Sequence, residues 1–580
     1  MIMMAVAHKY YWRFCVLLIL SSVFQLVADA FVLPTYLGSI KLDGTNARGG
    51  QNRRSTLLPL QATNNTATST KIEDDSIASI LSQADQSVDA PLPPAYTDCP
   101  FSGVIGGPKS FYRTASKALQ SPRIFSFVHK QKPMVEVSGG ANVRKLLNQE
   151  FTNLSSNAVA GVSQIVCGTH SLRTARDKVE HRALRDLVGV PLAAKAVAAS
   201  IPKFEAICRS RIEEMVLDQT KTNNDELPDS NKHVVTAVDV TEAMALDVTW
   251  QQVLGLDLQS KDEIDTFHTQ ASTWLRGVYN KPGSPEMETT LEVREYLVQM
   301  IENKIAQLKE AGQSDGSTVG GLVFATMGDV DRDGEDEDET AGIEANHNKQ
   351  RTLSNNEVVD NALLLILAST EITSSTLANV LMLMGLHPDV WQCVVDEQKA
   401  VVKIHGEPLT DSILEHEFPY LEAVLKETLR ILPVTLVSRR ETNKSIIIDG
   451  YQIPKGWGVS YNIFLTHKLD DDDDESPNDS SNGMNLIEDF QPSRWLNPET
   501  RPKMVDYIPF GAGPRKCPGI VLANTEMKTF LSIFARSVLS YELAMDIDDS
   551  KPIDEQISWK QLNAVPIPED GVKIRILSVS

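Results

Sequence analysis

The longest apolar segment of the chain predicts a central helix. Ser354 and Glu357 form a capping box at its start, and the hydrophobic pattern then continues to Met384. Gly385 is suited to cap the C-terminal end, and Pro388 blocks continuation of the helix. Because the segment NALLLILA is apolar on all sides, we expect a helix of about 45 Å that is buried in the middle of a domain.

A polar stretch, STEITSST (residues 369–376), follows directly within this helix. A purely structural core would have to give every one of these hydroxyl groups a hydrogen-bond partner. The stretch therefore indicates a working cavity beside the helix. The structural alternative is that the Ser and Thr side chains bond back to carbonyl groups of their own helix.

Farther along, the pattern predicts another helix and a small sheet. Apolar residues recur at helical spacing in YLEAVLKETLR (residues 420–430), and Pro433 ends the run. Glu427 and Arg430 lie three residues apart, so they share a face and can pair. The segment IIIDGYQIPKGWGVSYNIF alternates and turns like two strands of a small antiparallel sheet.

Composition supports a large folded core and argues against nucleic acid as a partner. The 580 residues are 42% hydrophobic and 23% charged, and the formal net charge is −22. A nucleic-acid-binding protein would normally carry a basic stripe. The length alone suggests about three or four domains. However, the chain from Cys99 to Ser580 shows neither an internal repeat nor a clean linker apart from two acidic runs.

The two acidic runs predict insertions near residues 311–350 and 470–484. They are DVDRDGEDEDET (residues 329–340) and DDDDDESPNDSSNG (residues 470–483). The first imitates a calcium-binding loop, but Thr340 stands where such a loop needs a bidentate Glu. We therefore predict a solvated loop in preference to a calcium site.

The N-terminus is typical of a targeting segment. Residues 14–28 are apolar but short for a membrane span, and Ala28-Asp29-Ala30 fits a cleavage site, so residues 1–30 are predicted to be a signal peptide or an N-terminal anchor. Residues 31–97 are predicted to be a transit-like segment and linker, and 98–580 the folded domain. The ADAFVLP junction resembles the bipartite presequence of plastid-bound proteins in algae with secondary plastids. The alternative location is the endoplasmic reticulum membrane.

Candidate chemistry centres on FGAGPRKCPG (residues 510–519). The chain has six cysteines and no C-x-x-C pair, so neither a zinc cluster nor a disulfide framework is indicated. Gly513 and Pro514 bend the backbone, and Pro518 opens a helix directly after Cys517. Amide groups at that helix start are expected to lower the pKa of the Cys517 thiol. Gly519 would let a flat partner approach closely.

Arg515, two residues before this sulfur, could pair with an anionic group of the same partner. A nucleophilic cysteine is the alternative function of such a loop. It requires a histidine base, and the sequence shows no local Cys-His signature. Cys517 is therefore interpreted as a metal ligand.

The loop resembles the cysteine-ligand loop of the haem-thiolate monooxygenases, the cytochromes P450. The matching residues are Phe510, Gly513, Arg515, Cys517 and Gly519. Glu427 and Arg430 lie upstream, followed by PSRW with Arg494, in the order which that family uses. The similarity is closest to the branch of retinoic-acid and sterol-type hydroxylases. It implies a single large domain, mostly α with small antiparallel β-sheets (α+β), which resolves the conflict with the length.

The resemblance implies a role for each matching residue. Cys517 would be the axial thiolate ligand of haem b, and Phe510, Gly513 and Gly519 would shape the cofactor loop. The haem propionates would meet Arg515 and Arg440. His181 and Arg185, one helical turn apart, are similar to the family's other propionate-binding pair. Glu427, Arg430 and Arg494 would form a buried ion-paired network behind the haem.

The function that this implies is insertion of one atom of O2 into a lipophilic substrate such as a sterol, terpenoid, carotenoid or fatty acid. No G-x-G-x-x-G fingerprint or flavin module is visible, so electrons would come from a separate donor, an NADPH-cytochrome P450 reductase or a ferredoxin. The apolar N-terminus also predicts association with a membrane.

One position departs from the family pattern. The central helix of the family usually carries an acid followed by a threonine that helps deliver protons to the reacting oxygen, whereas Glu371 is followed by Ile372. Thr373 or Thr370 could substitute, or a helix bulge could restore the geometry, but Thr373 lies about 100° from Ile372 around an ideal helix. The departure favours, as alternatives, an isomerase or dehydratase that needs neither O2 nor reductase. A haem sensor without turnover is a further alternative.

Overall fold

The computed structural model describes most of the chain beyond the N-terminal segment. The described residues are 74–97, 107–120, 122–129, 131–156, 165–221, 234–278, 280, 282–328, 351–467, 486–545, 547, 553–559 and 567–580. The predicted signal peptide, most of the predicted transit segment, and both acidic sequences, with the calcium-like loop, lie outside these residues.

Helices form most of the domain. In chain order they are α1 (Asp74–Leu81), α2 (Gly107–Ala118), α3 (Gly140–Leu147), α4 (Lys178–Gly189), α5 (Ala194–Ala198), α6 (Ile201–Lys221), α7 (Ala237–Val248), α8 (Lys261–Gly277), α9 (Pro285–Ala311), α10 (Thr318–Phe324), α11 (Asn355–Leu386), α12 (Pro388–His405), α13 (Asp411–His416), α14 (Pro419–Ile431), α15 (Ile463–Thr466), α16 (Ile520–Ser537) and α17 (Ile553–Gln556).

Helix α11 is the predicted central helix. Ser354 and Glu357 form the capping box in both directions. Gly385 was expected to cap the helix, but this prediction is wrong because the helix continues to Leu386. Gly385 instead lies against another element: a Cβ atom there would lie 2.8 Å from the side chain of Leu543. The helix packs against α7, α9, α14 and α16, so it lies in the core as expected.

Among the described residues, α11 is the one unbroken helix that is long and apolar enough to cross a membrane. A sharply bent pair of segments, Lys178–Ala198 and Ile201–Leu217, passes the same criterion only when its two arms are taken together. Much of α11 is buried against other helices of the domain. The buried core helix of a globular domain can match a membrane span in length and composition. Because α11 is largely buried against other helices, it fits the description of a core helix.

The strands form three small sheets beside the helices. They are β1 (Ile124–His129), β2 (Lys132–Val137), β3 (Leu154–Ser155), β4 (Val234–Thr236), β5 (Val437–Thr442), β6 (Ile446–Ile448), β7 (Tyr451–Ile453), β8 (Gly458–Asn462), β9 (Val538–Leu543) and β10 (Lys573–Val579). Their orders are β1-β2-β8-β5-β3, β4-β10-β9 and β6-β7. All strand pairs are antiparallel except β2 with β8. The sequence predicts two strands from residue 446 onward, whereas the structure has three: β6, β7 and β8.

Residues 74–97, which the sequence pattern assigned to the presequence and linker, pack on this sheet region. Ile77 of α1 is buried, and Ala95 forms a β-bridge with Ser126 of β1. The backbone N–H of Gln452 donates to Pro91 O at 2.8 Å. The folded unit therefore includes these residues.

Candidate active site

The cysteine loop is a tight turn that ends at the start of α16. The N–H of Cys517 donates to Phe510 O at 2.9 Å, which closes the loop on itself. Gly513 has φ of 69°, a conformation that other L-residues rarely adopt, and Gly513–Arg515 form a single 3-10 turn. A Cβ atom on Gly519 would lie 4.0 Å from Cys517 Sγ, so the missing side chain keeps the space beside the sulfur open.

The electrostatic surroundings of Cys517 differ from the sequence expectation. Burial raises the pKa of its thiol, and this effect outweighs the backbone N–H of Gly519 and the nearby cations Arg185 and Lys516, which lower it. The helix start acts in the expected direction but does not decide the net shift of the pKa.

Arg515 and Arg440 converge on one carboxylate that the sequence analysis missed. Glu150 accepts from Arg515 Nε at 2.8 Å and from Arg440 Nε at 2.6 Å. Arg515 Nη2 donates to Ala175 O at 2.7 Å, and Arg440 Nη1 donates to Ser438 and to the carbonyl of the adjacent residue. The structure thus brings together two arginines that lie 75 positions apart in the sequence and gives them a common partner.

His181 and Arg185 both project from α4 toward this loop. Arg185 Nη1 donates to Lys516 O at 2.6 Å. His181 is buried, with its ring centroid 5.1 Å from that of Phe151. Burial and the neighbouring arginines lower the pKa of His181 to about 3, so its ring is neutral. It can offer an N–H group but no positive charge to an anion.

Glu427 is fully buried and lies at the centre of a hydrogen-bonded network. It accepts from Arg430 Nε and Nη2, both at 2.9 Å, and from Arg494 Nε at 2.8 Å. The indole N–H of Trp495 and the backbone N–H of Gln491 also donate to it, at 2.8 and 3.0 Å. Burial acts to raise the pKa of Glu427, but the arginines outweigh it and the net shift is downward. The predicted trio is thus assembled, and Trp495 extends it.

His467 is a buried group beside this network that the sequence analysis missed. Its Nε2 accepts from the backbone N–H of Ile508 at 2.9 Å, so Nδ1 carries the proton and faces Arg430 O at 3.3 Å. Burial lowers the pKa of His467 from 6.5 to about 3. The folded protein therefore holds this imidazole neutral.

We expect acid to destabilise the fold partly through His467. Below pH 6.5 the unfolded chain protonates this side chain while the folded protein does not until about pH 3, so stability is present above 6.5 and is lost as the pH falls. The loss is about 1.4 kcal/mol per pH unit. Chemical unfolding between pH 7.5 and 5 measures it. His467→Gln should flatten the slope, whereas exposed His416→Gln should leave it unchanged; equal slopes in all three proteins would contradict this assignment.

In α11, the hydroxyl-bearing residues of the polar stretch differ in the groups to which they bond. Thr370 is fully buried, and its hydroxyl lies 3.1 Å from that of Thr249 at the end of α7. Ser369 and Thr376 bond back to the carbonyls four residues earlier, at 2.8 Å each. The structural alternative therefore holds for Ser369 and Thr376, whereas the Thr370 hydroxyl pairs with a neighbouring segment.

Ile372 occupies the face on which that threonine was expected. It is partly exposed and packs against a small apolar cluster formed by Val434 and Ile567. Glu371 is half-buried, and Thr373 is buried. Helix α11 continues unbroken through the stretch, so no bulge moves Thr373 into the place of Ile372.

The residues around Cys517 fit a flat, anionic, iron-bearing group. A thiol is a soft ligand for iron, and the open space beside Gly519 suits a flat ring system. Among the residues that the structure describes, Arg515 Nη1 and Arg440 Nη2 have no hydrogen-bond partner, which leaves one guanidinium nitrogen of each for an anion. Haem combines an iron atom with two carboxylates. The sulfur of Cys517 suits the iron, and the guanidinium nitrogens of Arg515 and Arg440 suit the carboxylates.

Comparison with known proteins agrees with the fold and the site. The family model "Cytochrome P450" matches residues 104–567. Taxoid 2-alpha-hydroxylase of Taxus canadensis is 26% identical over 77% of this chain and 81% of its own length. Cytochrome P450 26B1 of Xenopus tropicalis is 25% identical, over 77% of this chain and 79% of its own. The solved structure of retinoic acid bound cyanobacterial CYP120A1 has a TM-score of 0.64 and 22% identity, and the match covers 84% of this chain and 100% of that one.

These matches confirm the family and the fold that the cysteine loop predicted. The family match spans the cysteine loop, the Glu427 network and α11. The family also supplies the cofactor, haem with a cysteine thiolate as its axial ligand, and the type of reaction. The chain belongs to the cytochrome P450 family and is a haem-thiolate monooxygenase acting on a lipophilic substrate.

Proposed function

We propose that Cys517 is the thiolate ligand and that Arg515, Arg440, Arg185 and His181 hold the propionate edge of the haem. The convergence of Arg515 and Arg440 beside the cysteine loop carries this proposal, because each keeps one guanidinium nitrogen without a partner among the described residues. Haem bound in this way supplies activation of O2 for attack on a C–H bond.

The remaining residues bind and orient. The Gly519 N–H stabilises the sulfur as an anion, and the hydrogen bond between Cys517 N–H and Phe510 O fixes the position of the sulfur. Arg185 ties α4 to the same loop through Lys516 O. Glu371 is the candidate for moving protons into the cavity, and Thr373 stays a candidate for relaying them.

We propose a terpenoid as the first substrate class to test. The apolar cluster of Ile372, Val434 and Ile567 favours a hydrocarbon skeleton, and the relative from Taxus canadensis is named for a taxoid. Hydroxylation of a terpenoid panel, with sterols, carotenoids and fatty acids as comparison panels, tests this class. Turnover confined to fatty acids would overturn it.

The experiment that tests the ligand assignment is the carbon monoxide difference spectrum of the dithionite-reduced protein, expressed from about residue 70. A red-shifted Soret band is expected for thiolate ligation. Substrate-dependent consumption of NADPH and O2 should accompany formation of the product. Product formed without either co-substrate would instead favour the isomerase or dehydratase reaction. Folded protein with an unshifted band would remove Cys517 as the ligand.

We propose a plastid location, with a ferredoxin as the electron donor. The apolar residues 14–28 and the ADAFVLP junction support a bipartite presequence. An uncleaved apolar segment would instead anchor the protein in the endoplasmic reticulum membrane beside an NADPH-cytochrome P450 reductase. Reconstitution with each donor, and imaging of a fluorescent protein fused to residues 1–73, separate the two cases.

Ile372→Thr is expected to improve the coupling of O2 consumption to product formation. The variant places a hydroxyl on the face of α11 where the family carries its proton-relaying threonine. We expect the fraction of O2 released as hydrogen peroxide to fall by about threefold to tenfold. Ile372→Val is the control because it keeps the β-branch without a hydroxyl. If peroxide release from Ile372→Thr matches that from wild type, proton delivery does not depend on this position.

A further inference from the structure

Glu150 is a buried carboxylate that links the two arginines of the cysteine loop region. It follows α3, and its side chain is 1% exposed. Oε2 accepts from Arg440 Nε at 2.6 Å, and Oε1 accepts from Arg515 Nε at 2.8 Å. Each carboxylate oxygen therefore holds one guanidinium group, and the two positive charges are fixed next to each other by the negative charge between them.

The other contacts of the two arginines restrict their orientation further. Arg515 Nη2 is held by Ala175 O, and Arg440 Nη1 by Ser438 Oγ at 3.0 Å. With Nε and one terminal nitrogen fixed in each planar group, the remaining nitrogen can point in only one direction. Those remaining nitrogens, Arg515 Nη1 and Arg440 Nη2, are the two without partners among the described residues.

Phe151 shows that this arrangement is maintained against local strain. It has φ of 65°, in the left-handed region, which a bulky residue rarely adopts. Its ring lies 4.7 Å from the guanidinium carbon of Arg515 and 5.1 Å from the ring of His181. The strained residue thus packs against Arg515, one of the two cations that Glu150 aligns, and against the neutral ring of His181. These contacts favour a role for Glu150 and Phe151 in shaping the cofactor edge.

We propose that Glu150 is a positioning residue for the haem. It aims one N–H-bearing nitrogen each of Arg515 and Arg440 at the propionates, and its negative charge offsets one of the two positive charges there. This inference rests on the proposed roles of Cys517, Arg515 and Arg440. It predicts that Glu150 controls both how tightly haem is held and the reduction potential of its iron.

The test uses the haem-loaded protein and two readouts besides turnover. Glu150→Gln leaves an amide that can accept from only one arginine, so haem transfer to an excess apo-globin acceptor should become about tenfold faster. Loss of the buried negative charge should also move the reduction potential to a more positive value, because a nearby anion favours the oxidised iron. A merely structural residue would not change this potential.

Two further variants separate charge from packing. Glu150→Asp keeps the charge but is one methylene shorter, so faster haem loss with a potential near that of wild type is expected. Asp247→Asn is the matched control, since Asp247 is also a buried carboxylate between two side chains, Arg211 and His268, but lies on α7 away from the cysteine loop. It should change neither readout. If Glu150→Gln fails to fold, the Asp variant carries the test.

The outcomes distinguish this inference from the proposed function. Wild-type protein with a thiolate-type carbon monoxide spectrum, together with a Gln or Asp variant that loses haem at the wild-type rate, would overturn the role of Glu150 alone. Wild-type protein without that spectrum would overturn both assignments. The proposal stands when the thiolate spectrum, the faster haem loss and the shift of potential in Glu150→Gln occur together.

Discussion

Cys517→Ser should abolish the thiolate-type carbon monoxide spectrum and reduce hydroxylation to about a thousandth of the wild-type rate or less. A serine hydroxyl is a much weaker, harder ligand than a thiolate and does not supply the electron donation on which cleavage of O2 depends. The reduced carbon monoxide difference spectrum and product formation at saturating substrate measure the two effects. The loop itself should survive, because the N–H of residue 517 still bonds to Phe510 O.

Cys393→Ser is the control for this substitution. Cys393 is an exposed cysteine on α12, remote in the sequence from the loop, so its replacement should change neither the spectrum nor the rate. A thiolate-type spectrum that persists in Cys517→Ser would assign the ligand to a different cysteine.

Glu427→Gln is expected to cost about 3–5 kcal/mol of unfolding free energy, or to prevent haem uptake. The carboxylate receives five donors, from Arg430, Arg494, Trp495 and the backbone of Gln491, in a fully buried place. An amide offers a single acceptor oxygen and turns its own N–H groups toward the arginines, which leaves two buried charges unpaired. Denaturant unfolding of the haem-free protein, and the yield of haem-loaded protein, measure the two effects.

Glu422→Gln tests whether this cost arises from burial. Glu422 lies on the same helix, α14, and pairs with Lys426 and Lys528, but its side chain is 34% exposed. Solvent screens such a pair, so a loss of less than about 1 kcal/mol is expected. Similar losses in the two variants would show that the Glu427 network is no stronger than a surface ion pair.

Elements whose signals are local were predicted well from the sequence. The capping box of Ser354 and Glu357 sets the start of α11, and Pro433 follows the end of α14, because caps and prolines act through backbone groups within one turn. Gly385 shows the limit of such signals. Glycine at a helix end resembles a cap, but here the tertiary approach of Leu543 of β9 explains the missing side chain.

The residues of the site divide in the same way, into those that a local sequence motif reveals and those that only tertiary contacts reveal. Cys517, Glu427 and Arg430 could be found because short, ordered motifs carry them. Glu150 could not, since nothing within its own segment distinguishes it from a surface glutamate, and its partners lie 290 and 365 positions away. His467 and Thr249 were missed for the same reason, as burial beside distant residues gives them their roles.

The sequence by itself determined the family, the helical class, the cysteine loop and the departure at Ile372, because each depends on residue identity and short spacing. Only the tertiary structure decided which hydroxyls of α11 face neighbouring helices, that burial sets the net pKa shift of Cys517, and that Glu150 joins Arg440 to Arg515. Those properties depend on distance and desolvation. Both arise only when segments far apart in the chain pack together and exclude water.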